Sequence, residues 1–297
     1  MSTLRFAGSV KSLWRFPVKS MGGERLERAE VSALGLLGDR AHALIDVETG
    51  KVVSAKSVKH FPDILAYQAS SSQSQPSSDG STAVEVTFPD GTTSTSGAGD
   101  IDRRLSRSLQ REVTLARTAP EDYTIDQYHP DIEHVDPAGY RDTVVEQKLG
   151  SAFFDAIGAP SPVPVGAFFD LFPISVMTTS TLRHLNELQP GSRFDKRRFR
   201  MNLIVETTEE GFVENDWVGR ELAIGNDVRL RITMPDPRCV MTTLAQDGLP
   251  RDPDVLRTIT RHNRLAIGPD SRYPCAGVYA VVEAPGTIRM GDSVSVA

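Results

Sequence analysis

The chain has 297 residues, a formal net charge of −6 at pH 7, and 39% hydrophobic against 24% charged residues. This composition is typical of a soluble globular protein, and the length favours two domains over one. Nucleic-acid binding needs a broad basic surface that displaces counterions from phosphates, so the negative balance argues against that class of partner. An anionic ligand would have to bind to a local cluster of cations.

Targeting signals are missing from the sequence. No apolar run is long enough to span a bilayer, and the opening stretch "MSTLRFAGSVKSLWRF" lacks the apolar core and cleavage site of a secretory signal. We therefore expect a cytoplasmic protein with no membrane partner. In a reducing compartment Cys239 and Cys275 are not expected to form a disulfide.

In chain order, short alternating or β-branched runs separated by turn residues predict antiparallel sheet. Hairpins are predicted with turns at residues 48–50, 89–91 and 225–227, where glycine, proline, asparagine or aspartate interrupt the apolar pattern. Residues 69–81, "ASSSQSQPSSDGS", contain too little apolar surface to cover a core. That segment is interpreted as a mobile loop.

Helical patterns are fewer. Residues 99–110, "GDIDRRLSRSLQ", and 178–191, "TTSTLRHLNELQPG", each place apolar side chains on one face, and a third helix is predicted to start near Asp252 or Asp254. The expected fold class is α+β, mostly antiparallel β and barrel-like, with a few helices.

A polar, aspartate-rich connection is predicted over residues 120–142, "PEDYTIDQYHPDIEHVDPAGYRD". It follows a strand-like run that ends near residue 118. We expect one domain over residues 1–118 and a second over residues 119–297 that includes this connection.

Motifs for common chemistries are missing as well. The two cysteines have no CxxC or HxxxH partner, and the closest histidines, His129 and His134, lie in the polar connection, so a zinc site is disfavoured. The sequence contains no GxGxxG, GxxxxGK[ST] or GxSxG pattern. The sequence therefore gives no motif evidence for a nucleotide-binding or serine-hydrolase function.

Cys239 is the outstanding candidate for chemistry. It lies in "TMPDPRCVMTT", residues 233–243, where Arg238 and the backbone N–H groups of a constrained loop would lower the thiol pKa. Pro235 and Pro237 would fix the direction of the sulfur. The resulting thiolate could attack an electrophile or bind a soft metal. A buried structural thiol explains the same residues equally well, so both interpretations stay open at this point.

Several segments together resemble the MOSC family, including its amidoxime-reducing members and their bacterial relatives. "RFPVKSMGGERLERAEVSALGLLGDRAHALIDVETGKVVSAK" resembles the N-terminal β-barrel domain of that family. "RFDKRRFRMNLIVE", "WVGRELAIGNDVRLRITMPDPRCVMTT" and "GVYAVVEAPGTIRMGD" resemble the MOSC domain that follows it. The likeness extends over nearly the whole chain in the same order, and it implies an N-terminal MOSC β-barrel domain followed by a MOSC β-barrel domain.

The resemblance implies binding of the molybdenum cofactor in its molybdopterin form, whereas pyridoxal phosphate is not expected. It implies Cys239 as the catalytic residue and molybdenum ligand, which suits a soft thiolate donor. The residues implied to contact the rest of the cofactor are Lys19, Ser20, Arg40, Thr178, Thr179, Ser180, Arg200, Asn202, Arg238 and Tyr279. We further expect the cations among them to converge on one cleft, since a protein of net charge −6 otherwise repels a phosphorylated ligand.

The function implied by the resemblance is a molybdenum-dependent oxidoreductase that removes oxygen from N-hydroxylated or N-oxygenated small molecules. Its electrons would come from a separate protein of ferredoxin, flavoprotein or cytochrome type. Two alternatives remain open: a non-enzymatic carrier of the molybdenum cofactor, and a sulfur carrier with a persulfide on Cys239. For Cys275 we expect a small buried residue.

Overall fold

The computed structural model describes residues 4–76 and 82–297. The strands of the first half are β1 (Arg5–Arg15), β2 (Glu24–Leu26), β3 (Arg28–Ser32), β4 (Gly35–Leu36), β5 (Ala43–Asp46), β6 (Gln68–Pro76), β7 (Thr82–Thr87), β8 (Thr93–Thr95), β9 (Val113–Ala116), β10 (Thr124–His129) and β11 (Thr143–Lys148). Those of the second half are β12 (Ile174–Thr178), β13 (Leu203–Glu206), β14 (Glu221–Ile224), β15 (Val228–Pro237), β16 (Arg264–Ala266), β17 (Arg272–Ala284), β18 (Gly286–Arg289) and β19 (Ser293–Val296). The α-helices within these described ranges are α1 (Ile101–Leu109), α2 (Ser151–Ala156), α3 (Thr179–Leu188) and α4 (Asp254–His262).

Seven strands close into a barrel in the order β12, β13, β1, β19, β14, β15 and β17, with β17 pairing back to β12. The β12–β13 pair is parallel, and the other six pairs are antiparallel. The alternation along β15 explains its orientation, because Val228, Leu230 and Ile232 are buried while Arg229 and Arg231 are not. The barrel interior is therefore a packed hydrophobic core.

The first strand of the chain belongs to this C-terminal barrel. Within β1, Val10 and Leu13 pair with Val205 and Leu203 of β13, and the other edge of β1 pairs with β19. The predicted division at residue 118 stays a prediction. Strand β1 precedes that position in the sequence but pairs with strands that follow it. The start of the chain is thereby hydrogen-bonded to its end.

A second hydrophobic core lies under the sheets of the first half. Strands β6, β7 and β8 form one antiparallel sheet, and β5 pairs with β9. Helix α1 contributes Ile101 and Leu105 to this core, and Met241 and Leu244 of the second half pack against it. The two halves thus share side-chain contacts close to Cys239.

The fold class is confirmed: strands dominate and the largest sheet is a closed antiparallel-rich barrel. The turns at 89–91 and 225–227 and the helices α1, α3 and α4 also occur as predicted. The turn at 48–50 joins β5 to a single bridge residue, since Ile45 pairs with Val52.

Two sequence predictions were wrong in part. The polar connection contains strand β10, which pairs along its whole length with β11, and helix α2 follows them. In the segment interpreted as a loop, residues up to Pro76 form strand β6 against β7, whereas residues 77–81 lie outside the described part of the chain. In both cases the segment is ordered by pairing with a neighbouring strand. Its low apolar content had predicted a loop or connection instead.

Candidate functional site

A cleft rich in cations is lined by side chains from both halves of the chain, and we call it the cationic cleft. It encloses about 610 Å³, part of it open to solvent. Seven of the residues that the sequence predicted to hold a cofactor line it: Lys19, Ser20, Arg40, Arg200, Asn202, Arg238 and Tyr279. The expected convergence of Lys19, Arg40 and Arg200 is therefore present in the structure. Small-molecule sites are usually concave spaces in which a few polar groups converge.

The backbone of the cationic cleft is unusual at three of these residues. Ser20, Arg40 and Arg200 have φ angles of 66°, 47° and 54°, in the left-handed region that residues other than glycine rarely adopt. Conformations of this kind cost free energy and persist where the surrounding structure imposes them, commonly at ligand sites. The strain turns three predicted cofactor residues towards one space.

Lys19 and Lys56 share a single carboxylate, that of Asp170. The Lys19 ammonium contacts Asp170 Oδ1 and donates to the Phe168 carbonyl at 2.9 Å, while Lys56 Nζ lies 2.7 Å from Asp170 Oδ2. Burial alone would raise the pKa of Asp170, but the positive charges of Lys19 and Lys56 hold it well below its usual range. One carboxylate cannot balance two ammonium groups, so positive charge is left in the cleft wall.

Arg40 and Arg200 face the same aromatic ring. Their guanidinium carbons lie 4.5 and 4.3 Å from the centre of the Phe16 ring, a distance typical of cation–π contacts. Arg40 pairs with Asp39 and donates to the Arg200 carbonyl at 3.0 Å, and Arg200 donates to the Met21 carbonyl. Burial, and then the charge of Arg40, lowers the pKa of Arg200 to about 9. A bound anion would relieve both effects.

Asn202 and Arg238 line the cleft, but their polar groups are used within the protein. The Asn202 Oδ1 atom accepts from Ser175 N and Ser175 Oγ, each at 3.0 Å, and its Nδ2 donates to Asp39 Oδ2 at 3.0 Å. The Arg238 guanidinium donates to the carbonyls of Ala276 and Phe199. These two side chains hold neighbouring parts of the wall in place, which differs from the ligand contacts predicted for them.

Asp236 is a carboxyl group of the cleft with an altered proton affinity. Burial raises its pKa to about 6, although Arg238 Nη2, 2.5 Å from Oδ2, opposes the change. Its Oδ1 atom has no hydrogen-bond partner among the described residues. The Tyr279 ring stacks on Phe172 with centroids 5.4 Å apart, and burial followed by the charge of Asp236 raises the pKa of its hydroxyl well above the usual value. Asp236 can therefore hold a proton at mildly acidic pH.

Cys239 lies two residues beyond the end of β15, just before a short helical turn over residues 240–243. Its neighbours Arg238 and Met241 line the cationic cleft, and its side chain is partly exposed. Burial alone would lower the pKa of Lys56, but the charges of Asp170 and then Cys239 raise it overall. The thiol of Cys239 and the ammonium of Lys56 are thus close enough to interact electrostatically.

The structure does not bring Thr178, Thr179 and Ser180 into this cleft. Thr178 Oγ1 donates to the buried carboxylate of Glu214 at 2.7 Å and also accepts from Thr181 N, which caps helix α3. The Ser180 hydroxyl lies 2.8 Å from that of Thr207, and Thr179 Oγ1 accepts from Thr207 N at 3.1 Å. A buried carboxylate requires donors, so the Thr178 hydroxyl is committed to Glu214, and the hydroxyls of Thr179 and Ser180 bond to Thr207.

Sequence reasoning missed Lys56, Asp170 and Asp236. Asp170 is a lone carboxylate in the aromatic run "AFFDLFP", and Asp236 stands between the two prolines before Cys239. Lys56 follows the apolar run "VVSA". A charge within or directly after an apolar run is a signal of a buried and paired ionisable group, and it could have indicated all three.

Membrane insertion through a helix has no support in this fold: over residues 4–76 and 82–297 every helix is too short or too polar to cross a bilayer.

Comparison with known proteins gives matches along most of the chain. The MOSC N-terminal beta barrel domain matches residues 7–118, and the MOSC domain matches residues 166–295. Mitochondrial amidoxime-reducing component 1 from Homo sapiens is 25% identical over 310 residues, which cover 98% of this chain and 83% of that protein. Mitochondrial amidoxime reducing component 2 from Rattus norvegicus is 34% identical over 133 residues, covering 43% and 38%. The solved structure of the YuaD protein from Bacillus subtilis is 11% identical, with a TM-score of 0.46 and coverage of 99% and 98%. The chain is therefore a MOSC-family protein, with an N-terminal MOSC β-barrel domain ahead of its MOSC domain.

Proposed function

We propose that the protein binds the molybdenum cofactor in the cationic cleft and reduces N-hydroxylated small molecules with electrons from a separate electron-transfer protein. The observation that carries the proposal is the convergence of Lys19, Arg40, Lys56 and Arg200 beside the segment of Cys239. The similarity to proteins named as amidoxime-reducing components supports the choice of substrate class. The proposed domain division at residue 118 would place the cleft between the two domains.

The residues of the cleft fit such a cofactor. A phosphate group would bind to the free donors of Lys56, Lys19 and Arg200, since each of these side chains keeps N–H groups that no described residue accepts. The Ser20 hydroxyl accepts from Ala55 N at 2.9 Å and keeps its own proton for a ligand. Cys239 would supply the thiolate ligand to the metal. When bound, the cofactor supplies the electron chemistry that removes oxygen from the nitrogen.

The protein's own part in the reaction is to bind, orient and hold a proton. The strained backbones of Ser20, Arg40 and Arg200 fix donors before the ligand arrives, which limits the entropy lost on binding. Oxygen leaves as water, so the reaction consumes protons as well as electrons. Asp236, with a pKa of about 6 and a free Oδ1 atom, is the carboxyl group of the cleft best placed to hold one.

Turnover with an artificial reductant tests the proposal. Protein from a cofactor-competent host, supplied with reduced methyl viologen, should convert benzamidoxime to benzamidine, and Cys239→Ala should abolish the conversion. Bound cofactor without turnover would contradict the oxidoreductase function and favour a cofactor carrier. Protein without cofactor that gains one sulfur atom on Cys239 from a cysteine desulfurase would favour the persulfide carrier instead.

A further inference from the structure

A second cleft lies beside the cationic cleft and is built differently. It spans about 790 Å³, part of it open to solvent, and its lining includes the aromatic rings of Trp14 and Phe16, apolar side chains and the cations Arg25 and Lys196. Arg200 lines both clefts. We call this second space the aromatic cleft. None of the residues carried over from the family resemblance lines it apart from Arg200.

Two cations of the aromatic cleft lack a counterion. Arg197 also lines it and forms ion pairs with Asp195 at 2.8 Å and with Asp247, a further lining residue, at 3.0 Å. By contrast, Lys196 and Arg25 form no ion pair with any carboxylate in the described part of the chain. Burial, followed by the charge of Arg25, lowers the pKa of Lys196. Two neighbouring unpaired cations at a concave surface create a positive potential that an anion would neutralise.

The remaining wall offers the half-buried ring of Trp14, with the buried ring of Phe16 beside it. The Trp14 and Phe16 rings are nearly parallel, with centroids 6.3 Å apart and an interplanar angle of 18°. Lys196 Nζ lies 5.6 Å from the centre of the Trp14 ring. Gly23 packs directly on Phe16, because a Cβ atom there would lie 2.5 Å from the ring. Positive charge therefore sits next to an aromatic face that is held by close packing.

We propose that the aromatic cleft is a separate binding site for a small aromatic carboxylate. The carboxylate group would bind to Lys196 and Arg25, and the flat apolar body would lie along the Trp14 ring. The half-buried Trp14 ring lies beside these cations, which favours an aromatic anion over inorganic phosphate. The proposal does not depend on the cofactor or on the reaction of the neighbouring cleft.

Binding of 4-iodobenzoate to the full-length protein as purified tests this site, with 4-iodobenzamide as the uncharged probe of equal shape. Calorimetry should give saturable one-to-one binding of the carboxylate. The iodine should quench tryptophan fluorescence to a plateau, since Trp14 lines the cleft whereas Trp217 is in the barrel core. The Lys196→Met variant should weaken binding about tenfold or more.

The matched control is Lys59→Met, because Lys59 lies 5.7 Å from the centre of the Tyr128 ring, outside the cleft, and the charge change is the same. That variant should bind as the wild type does. Equal binding of the amide would overturn the proposal, as would an absence of saturable binding. Loss of binding in Lys19→Met with none in Lys196→Met would place the probe in the cationic cleft and would also overturn it.

Discussion

At the scale of single residues, the two cysteines have different environments, and substitution separates their roles. Cys239 is partly exposed beside the cationic cleft, whereas Cys275 is buried, its Sγ lies 3.2 Å from the Tyr273 carbonyl, and burial raises its pKa to about 12. Cys239→Ser should abolish turnover while leaving much of the pterin bound, because a hydroxyl is a poor donor to a soft metal.

Cys275→Ser is the matched substitution. It should lower the free energy of unfolding by on the order of 1 to 3 kcal/mol and leave turnover per bound cofactor unchanged. Chemical denaturation and a turnover assay on both variants measure these effects. If Cys239→Ser kept normal turnover per molybdenum while Cys275→Ser lost it, the assignment of the ligand would be wrong.

His42 gives the protein a pH-dependent stability. Burial, and then the charge of Arg117, lowers its pKa to about 4, and neither ring nitrogen has a partner among the described residues. Between pH 4 and 6.5 the unfolded chain binds a proton that the folded protein does not. The free energy of unfolding is therefore unaffected by this group above about pH 6.5. It falls by about 3 kcal/mol as the pH is lowered from 6.5 towards 4.

The variant His42→Leu should remove that loss. The difference in unfolding free energy between wild type and variant should change by about 3 kcal/mol from pH 7 to pH 4, as measured by urea denaturation. His262→Leu, at an exposed position, is the control for the loss of an imidazole. A pH-independent difference for His42→Leu would refute this account of the buried imidazole.

At the scale of structural elements, strand β17 needs glycine where it passes the cationic cleft. Gly277 has a φ of 84°, and a Cβ there would lie 2.4 Å from Met201 Cε and 2.8 Å from the Val176 carbonyl oxygen. Gly277→Ala should therefore lower the free energy of unfolding by about 2 to 5 kcal/mol. It should also reduce cofactor retention, because Arg238 Nη2 is only 3.3 Å away.

Gly211→Ala isolates the backbone contribution. Its φ is 83°, and no atom lies within 4 Å of the added Cβ. That variant should cost about 1 kcal/mol and leave cofactor retention unchanged. Thermal unfolding and cofactor content measured on both variants test the prediction, and equal destabilisation would show that the close packing at Gly277 has no role.

The sequence predicted those elements whose order is local. Helix α1 and the turn at residues 225–227 carry their periodicity and turn residues within a short stretch, so they were predictable. Strand β10 was not, because its order depends on pairing with β11 beyond a polar segment. The position of β1 in the C-terminal barrel likewise depends on pairing with strands far along the chain.

The candidate site shows the same limit. The family resemblance identified Lys19, Arg40 and Arg200, but it did not identify Lys56, whose place depends on its pairing with Asp170 far along the chain. The resemblance also did not indicate that the side-chain amide of Asn202 forms its hydrogen bonds with Ser175 and Asp39. Whether the polar groups of a side chain already have partners within the protein depends on the residues that folding brings around it. A match to a sequence motif therefore does not reveal it.

At the scale of the whole molecule, an acidic protein concentrates cations in one cleft to which both halves of the chain contribute. The net charge is −6, yet Lys19, Arg40, Lys56 and Arg200 line the same space with few carboxylates to balance them. Keeping like charges together costs free energy unless an anionic ligand compensates. The ligand proposed to compensate these charges is the molybdenum cofactor.

Molybdenum and pterin content is the measurement that tests this claim most directly. Protein purified under reducing conditions from a cofactor-competent host is analysed for metal by mass spectrometry and for pterin by fluorescence after oxidation. Wild type and Lys59→Met should carry molybdenum and pterin in near-equal amounts, and Lys56→Met should retain about tenfold less of both. Wild-type protein containing neither molybdenum nor pterin, or Lys56→Met with undiminished content, would contradict the account.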